Sequence, residues 1–328
     1  MILAGDIGGT KTNLAYYDLR GDSLVPALVK SYPSQQYASL NDILAILQRE
    51  YPERITAAAF GIAGPVVANR CKLTNVNWIV DGEEVASALH LASVGLLNDL
   101  AATAYGILRL GAKDLVTIQT GKPQREGTIG VIAAGTGLGG GALVWDGQGY
   151  RAMASEGGHA DFPPRNVLEM DLLKFLLKKF EHVSVERVVA GPGIMNIYEF
   201  FRARTPAPEP EWLGVEMRSG DPSAAVSRAG LEGKDETCVR TLDMFIALYG
   251  SEAGNLALRF LTTGGLYVAG GIAPKVLPKI QSGLFMEAFL GKDTYRELLQ
   301  TIPVHVVLNE KTALLGAAHY ALMMRRKL

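Results

Sequence analysis

The sequence predicts a two-domain α/β protein, and three observations carry that prediction. Short apolar, strand-like runs alternate with segments of helical period, the pattern of strands interleaved with helices. The chain has 328 residues, which at about 100–200 residues per domain favours two domains and permits a sizeable core. Residues Gly5 to Asp18 also align with Ala133 to Asp146 at an offset of 128, as strand, glycine turn and strand, ending Tyr-Tyr-Asp and Val-Trp-Asp. Two such hairpins point to a duplicated domain.

The elements follow in chain order. After the first hairpin, Ser39 precedes a helix whose apolar face is Leu40, Ile43, Leu44 and Leu47. Ile55 to Ala63 reads as a buried strand ending at the turn signal Gly64-Pro65. Val94 to Leu97 reads as a strand and Ala101 to Leu110 as a helix, so Asn98-Asp99 falls at a strand's carboxyl end, where open α/β sheets place ligands. The second hairpin lies in the uncharged stretch Gly127 to Trp145, whose seven glycines suit turns better than a membrane-spanning helix. Asn166, with Glu169 three residues on, opens a helix lined by Leu168, Leu172, Leu176 and Phe180. Pro206, Pro208 and Pro210 make Thr205 to Glu211 a connector. Asp235 caps a long helix running to about Leu261, Leu266 to Ala269 is a strand before Gly270-Gly271, Val304 to Leu308 is a final strand, and Ala313 to Met324 is a final helix.

Composition narrows the function. With 32 Lys plus Arg against 33 Asp plus Glu, the chain lacks the basic footprint of a nucleic-acid binder. Cys71 and Cys238 are too few and too far apart for a disulfide framework or a Cys-rich zinc site. The start, Met-Ile-Leu-Ala-Gly-Asp, has no basic region and carries an acid at Asp6, so a secretory signal is not expected and a soluble cytoplasmic enzyme is.

Five groups of residues carry chemistry. In Gly5-Asp6-Ile7-Gly8-Gly9-Thr10-Lys11-Thr12, glycines let the backbone approach phosphate oxygens, Thr10 and Thr12 are donors, and Asp6 can hold hydrated magnesium. The spacing misses a P-loop, because Thr10 stands where the second glycine belongs and a strand follows instead of a helix. Ala134-Gly135-Thr136-Gly137-Leu138-Gly139-Gly140-Gly141 reads as the opposite jaw of a phosphate clamp, and Gly264-Gly265 with Gly270-Gly271 as an approach point for a base or ribose. Asp99 is a candidate base for phosphoryl transfer to an alcohol, or else a helix cap. Glu156-Gly157-Gly158-His159 can aim an acceptor and a donor at one polyhydroxylated ligand; metal binding is the rival use. His90, His182, His305 and His319 read as structural, and Glu186, on composition alone, as an ordinary helix-surface acid.

Taken together, these residues resemble the bacterial glucokinase family of actin/hexokinase-like sugar kinases. The matching pieces are GDIGGT (5–10), LLNDLAA (96–102), AAGTGLGGG (133–141), EGGHADF (156–162), ERVVAGPG (186–193), GNLAL (254–258) and LYVAGGI (266–272), spread through most of the chain in the family's order. The resemblance implies the two-domain actin/hexokinase-like (ribonuclease H-like) fold with an interdomain cleft. Residues 1–110 plus 303–328 would form the small domain and 111–302 the large one. It implies ATP-dependent phosphorylation of D-glucose at its 6-hydroxyl with Mg2+ at Asp6, and a homodimer. Asp99 is then the catalytic base, while Asn98, Glu156, His159 and Glu186 contact sugar hydroxyls. Gly5, Asp6, Ile7, Gly8, Gly9 and Thr10, with Thr136 and Gly137, cradle the phosphates, Gly137 being assigned to the sugar as well; Gly270 and Gly271 belong to the nucleotide.

Two features depart from the family's pattern. Lys11 and the GIAGPV loop (61–66) look more like the related ROK sugar kinases. Yet the Cys-rich zinc motif that follows the Glu-x-Gly-His segment of ROK proteins is missing, since no cysteine follows His159 until Cys238. The phosphate hairpin at the N-terminus also leaves no room for the helix-turn-helix of ROK repressors. A kinase for another hexose or an amino sugar, and a non-catalytic glucose sensor, stay open as alternatives.

Overall fold

The computed structural model describes residues 1–73 and 76–325. They fall into two compact units: Met1–Lys113 with Ala152–Ala154 and Asn309–Leu328, and Asp114–Arg151 with Ser155–Leu308.

In the first unit, strands β1 (Ile2–Ile7), β2 (Lys11–Arg20), β3 (Ser23–Pro33), β4 (Ala57–Ile62) and β7 (Gly95–Asn98) form a sheet of order β3-β2-β1-β4-β7. A two-stranded ribbon, β5 (Arg70–Lys72) with β6 (Ile79–Asp81), lies apart from it. β1 and β2 make the antiparallel hairpin, while β1, β4 and β7 run parallel. Alternation along β1 sorts its side chains between two cores. Leu3 and Ile7 pack with Leu40, Ile43, Leu44 and Leu47 of the helix Leu40–Glu50, which Ser39 caps as its sequence predicts. Ile2 and Ala4 pack with Leu314, Ala317, Ala318, Ala321 and Leu322 of the helix Thr312–Arg325. Asp6 belongs to this second set by alternation, at the strand's carboxyl end. The helix Asp99–Ile107 crosses Thr312–Arg325 closely, because a Cβ on Gly316 would stand 1.7 Å from the Ala102 carbonyl oxygen.

A second sheet, of order β11-β10-β9-β12-β13-β8, is formed by β8 (Leu115–Gln119), β9 (Ile129–Ala134), β10 (Leu138–Trp145), β11 (Tyr150–Ser155), β12 (Gly265–Ala269) and β13 (Val304–Val307), all of it in the second unit except Ala152–Ala154 of β11. Again a hairpin (β9, β10) is followed by parallel partners (β12, then β13). The long helix Glu236–Phe260, capped by Asp235, supplies Leu242, Phe245, Tyr249, Ala253 and Ala257 to this unit's core. The repeated strand order supports the duplication read from the sequence, with one correction. The offset of 128 holds for the first strand of each hairpin, Asp6 matching Ala134. It becomes 125 in the second strand, because Asp6 pairs with Asn13 whereas Ala134 pairs with Leu138. The second turn, residues 135–137, is simply shorter.

Two further expectations change. The helix Val167–Leu176 buries Leu172 and Leu176, but Leu168 is 37% exposed and Glu169 takes the inward position. Glu169 is held there by the backbone N–H and guanidinium of Arg165 and by the Asn166 side-chain amide, so its charge is paired. The expected boundary at 303 would place β13 in the first unit; the strand instead pairs with β12 and β8, and the chain returns to the first unit at Asn309. The last three residues of the expected segment 303–328 lie outside the described residues.

Candidate active site

The first unit assembles Asp6, the Gly8–Lys11 turn, Asn98 and Asp99 at the carboxyl ends of β1 and β7. The turn closes on the Gly8 N–H, which donates to the Lys11 carbonyl at 3.0 Å. It is fastened from behind by Ser34, whose N–H donates to the Thr10 carbonyl (3.0 Å) and whose hydroxyl donates to the Gly8 carbonyl (2.7 Å). Because that hydroxyl spends its proton on Gly8, the Thr12 hydroxyl is the donor in the 3.0 Å bond to Ser34. Both side chains are fully buried. Thr12 is thus a fastening of the turn, contrary to the expectation that it donates to phosphate, while Thr10 stays exposed at the tip. Gly5 and Ile7 also face inward: a Cβ on Gly5 would stand 2.3 Å from the Phe60 ring, and Ile7 is fully buried. What this segment offers outward is the Asp6 carboxylate and the backbone of the turn.

Asp6 accepts a long hydrogen bond, 3.4 Å, from the Asn13 amide, which is itself oriented by accepting from the Ser31 hydroxyl. Burial raises its pKa; the Asn13 bond lowers it less, and the nearby charge of Asp99 raises it again. A desolvated carboxylate so weakly satisfied, with a second acid nearby, fits a hydrated magnesium ion held through one or two carboxylates.

The capping role that the sequence left open for Asp99 falls to Asn98. The helix cap is Asn98, whose side-chain oxygen accepts from the N–H groups of Leu100 (2.9 Å) and Ala101 (3.4 Å), while its amide donates to the Gly64 carbonyl at 3.3 Å. Asp99 is the exposed first residue of that helix, and its Oδ1 accepts from the Leu100 N–H at 2.8 Å.

The second unit gathers Thr136, Gly137, His159 and Glu186 around the β9–β10 turn. The Gly135 N–H donates to the Gly137 carbonyl, and Gly191 donates to Gly135. The short helical turn Gly157–His159 lies directly against β10, since a Cβ on Gly158 would stand 2.1 Å from the Leu138 carbonyl oxygen. Its neighbour Val185–Arg187 is another short helical turn, so Glu186 is no helix-surface acid. Glu186 Oε2 accepts from the Leu138 N–H at 2.9 Å, and its Oε1 lies 4.0 Å from His159 Nδ1, too far for a direct hydrogen bond. Glu156 and His159 are both exposed. Gly270, with a left-handed φ of 84°, packs its Cα against Ala134, whereas Gly271 faces open space.

Sequence reading missed Ser34 and Tyr249. Tyr249, on the helix Glu236–Phe260, is fully buried; its hydroxyl accepts from the Ala134 N–H (3.3 Å) and donates to the Ala269 carbonyl (3.2 Å), bridging the strand ends before both glycine turns. Neither residue carries a local signal, since a serine after Pro33 and a tyrosine on an apolar helix face have many ordinary uses. Of the other histidines, His182 meets Asp161 at 2.8 Å and His319 accepts from Arg109, ordinary structural roles.

The chain matches the family model described as Glucokinase over residues 3–324. It is 47% identical to a glucokinase of Trichormus variabilis, with 97% of this chain and 98% of the relative covered. To a glucokinase of Tolumonas auensis it is 34% identical, covering 100% and 98% respectively. Among solved structures, a glucokinase from an Antarctic psychrotroph superposes with a TM-score of 0.86 at 31% identity, over 98% of both chains. A ROK family glucokinase from Streptomyces griseus, in complex with glucose and AMPPNP, shares the fold at a TM-score of 0.66 and 22% identity. The two glycine hairpins, each leading a sheet of the same strand order, are the actin/hexokinase-like sugar-kinase architecture, and the chain belongs to the glucokinase family.

Proposed function

We propose that the chain transfers the γ-phosphoryl group of ATP to the 6-hydroxyl of D-glucose, giving glucose 6-phosphate and ADP, the first step of glycolysis. The observation that carries this reading is an exposed carboxylate, Asp99, opening a helix at the end of β7 in a chain of this family. Asp99 takes the proton of the 6-hydroxyl as its oxygen bonds to the γ-phosphorus; the bond to the bridging oxygen breaks, and ADP leaves with that electron pair. Asn98, Glu156, His159 and Glu186 hold the sugar hydroxyls, the carboxylates accepting and the amide and imidazole donating. The Gly8–Lys11 turn and Thr136 take the phosphates through backbone and hydroxyl donors, with Gly270-Gly271 at the nucleotide. Asp6 is the residue that would hold Mg2+, which when bound would supply charge neutralisation for the transferred phosphoryl group.

The chain works as a homodimer in this reading, supported by apolar side chains left exposed on and beside the helix Val167–Leu176, among them Val167 (73%) and Met170 (46%). A cytoplasmic setting accords with two buried cysteines that form no disulfide. No helix of the described residues is long and apolar enough to cross a membrane.

The test is a Mg-ATP assay on wild type and Asp99→Asn across glucose, mannose, fructose and N-acetylglucosamine, with direct detection of the sugar phosphate. Wild type is expected to act on glucose and to discriminate against the others. Asp99→Asn is expected to lose about 100- to 10,000-fold in kcat while still binding sugar. Wild-type turnover in that variant removes Asp99 from the mechanism. Sugar binding by wild type without product from any sugar turns the reading to a sensor.

A further inference from the structure

We propose that Gly137 and the backbone N–H of Leu138 are positioning groups for the sugar-side carboxylate, so that the second glycine hairpin sets the aim of Glu186. The proposal rests on the reading of Glu186 as a sugar contact and adds what holds it there. Glu186 arrives on a turn fixed at both ends. Val185 is buried and donates its N–H to the Ala160 carbonyl (2.9 Å), and the Arg187 carbonyl accepts from Asn196 at 2.8 Å. The backbone therefore brings the side chain in at one place, and its end is settled by what it meets. Oε2 meets the Leu138 N–H at 2.9 Å. That approach is open only because residue 137 has no side chain: a Cβ there would stand 2.6 Å from Oε2 and 3.4 Å from Cδ. With Oε2 committed to the backbone, Oε1 is the oxygen turned to the His159 side, 4.0 Å from Nδ1. A sugar hydroxyl fits that gap, donating to one group and accepting from the other.

The clash that a methyl at 137 creates is with the far end of a flexible side chain, not with backbone, and the backbone at 137 lies outside the left-handed region. Gly137→Ala is therefore expected to fold and to displace only the carboxylate. Gly158→Ala differs, because its Cβ would meet the Leu138 carbonyl oxygen at 2.1 Å.

The experiment compares Gly137→Ala, Glu186→Asp and the double variant. Gly137→Ala is expected to raise the glucose KM about tenfold, the order of one lost charge-assisted hydrogen bond, and by more than it raises the Mg-ATP KM. The double variant is expected to bind glucose no more weakly than Glu186→Asp alone, since both changes act on one carboxylate. An unchanged glucose KM in Gly137→Ala, or a rise confined to Mg-ATP, overturns the proposal. Hydrogen exchange at the Leu138 amide, read against Glu186→Ala in the ligand-free protein, needs no turnover. Faster exchange in the variant supports the contact, and equal exchange overturns it. If wild type makes no glucose 6-phosphate, the kinase reading fails, while the exchange result still decides this one.

Discussion

Asp6 is a carboxylate whose burial works against folding at neutral pH. Burial raises its folded-state pKa above the ordinary 3.8. The folded state therefore binds more protons than the unfolded state between 3.8 and that raised value, and stability falls as pH rises through this window. Asp6→Asn removes the cost. The variant is expected to be more stable than wild type at pH 7, with the difference shrinking as pH falls toward 4, and to lose turnover. Denaturant titrations across that range check it; a variant less stable than wild type at pH 7 sinks the argument. At this scale the acid and its neighbouring glycines are legible in the chain, because residue type and spacing carry the chemistry. Ser34 is not legible, since its meaning lies in reaching Gly8 and Thr12 across a turn from 26 and 22 positions away.

The helix Asp99–Ile107 carries the proposed base, and its seat is a helix crossing. Gly106 and Gly316 let it approach Thr312–Arg325 to within backbone contact, a Cβ at 316 meeting the Ala102 carbonyl oxygen at 1.7 Å. Backbone cannot swing aside as the end of a glutamate can. Gly316→Ala is expected to cost about 3 kcal/mol through overpacking and to shift the helix under Asp99. A lowered denaturation midpoint with unchanged denaturant dependence checks this; an unchanged midpoint means the crossing is looser than described. Most elements are readable from periodicity and caps: Ser39, Asn166 and Asp235 all cap the helices that follow them. The Val167–Leu176 face is not, because apolar spacing puts Leu168 inside while a paired Glu169 takes the place. Local periodicity has no means of registering an ion pair that makes burial of a charge tolerable.

As a whole molecule, the protein is expected to weigh two 35.2 kDa chains by light scattering. Acid substitutions at Val167 and Met170 are expected to shift it toward the monomer. A single-chain mass for wild type sets the homodimer aside. The paired hairpins, the order of elements and the glycine turns are all present in the linear chain, because hairpins and glycine turns are local structures written by neighbouring residues. The family's fold follows from that order. Folding decided which of those residues face outward. It turned Gly5, Ile7 and Thr12 into supports, made Asn98 and not Asp99 the cap, carried β13 into the second sheet, and brought Glu186 onto the Leu138 amide from 48 positions away. Each outcome depends on a partner distant in sequence, and pairing, packing and hydrogen bonding at such separations exist only once the chain has closed on itself.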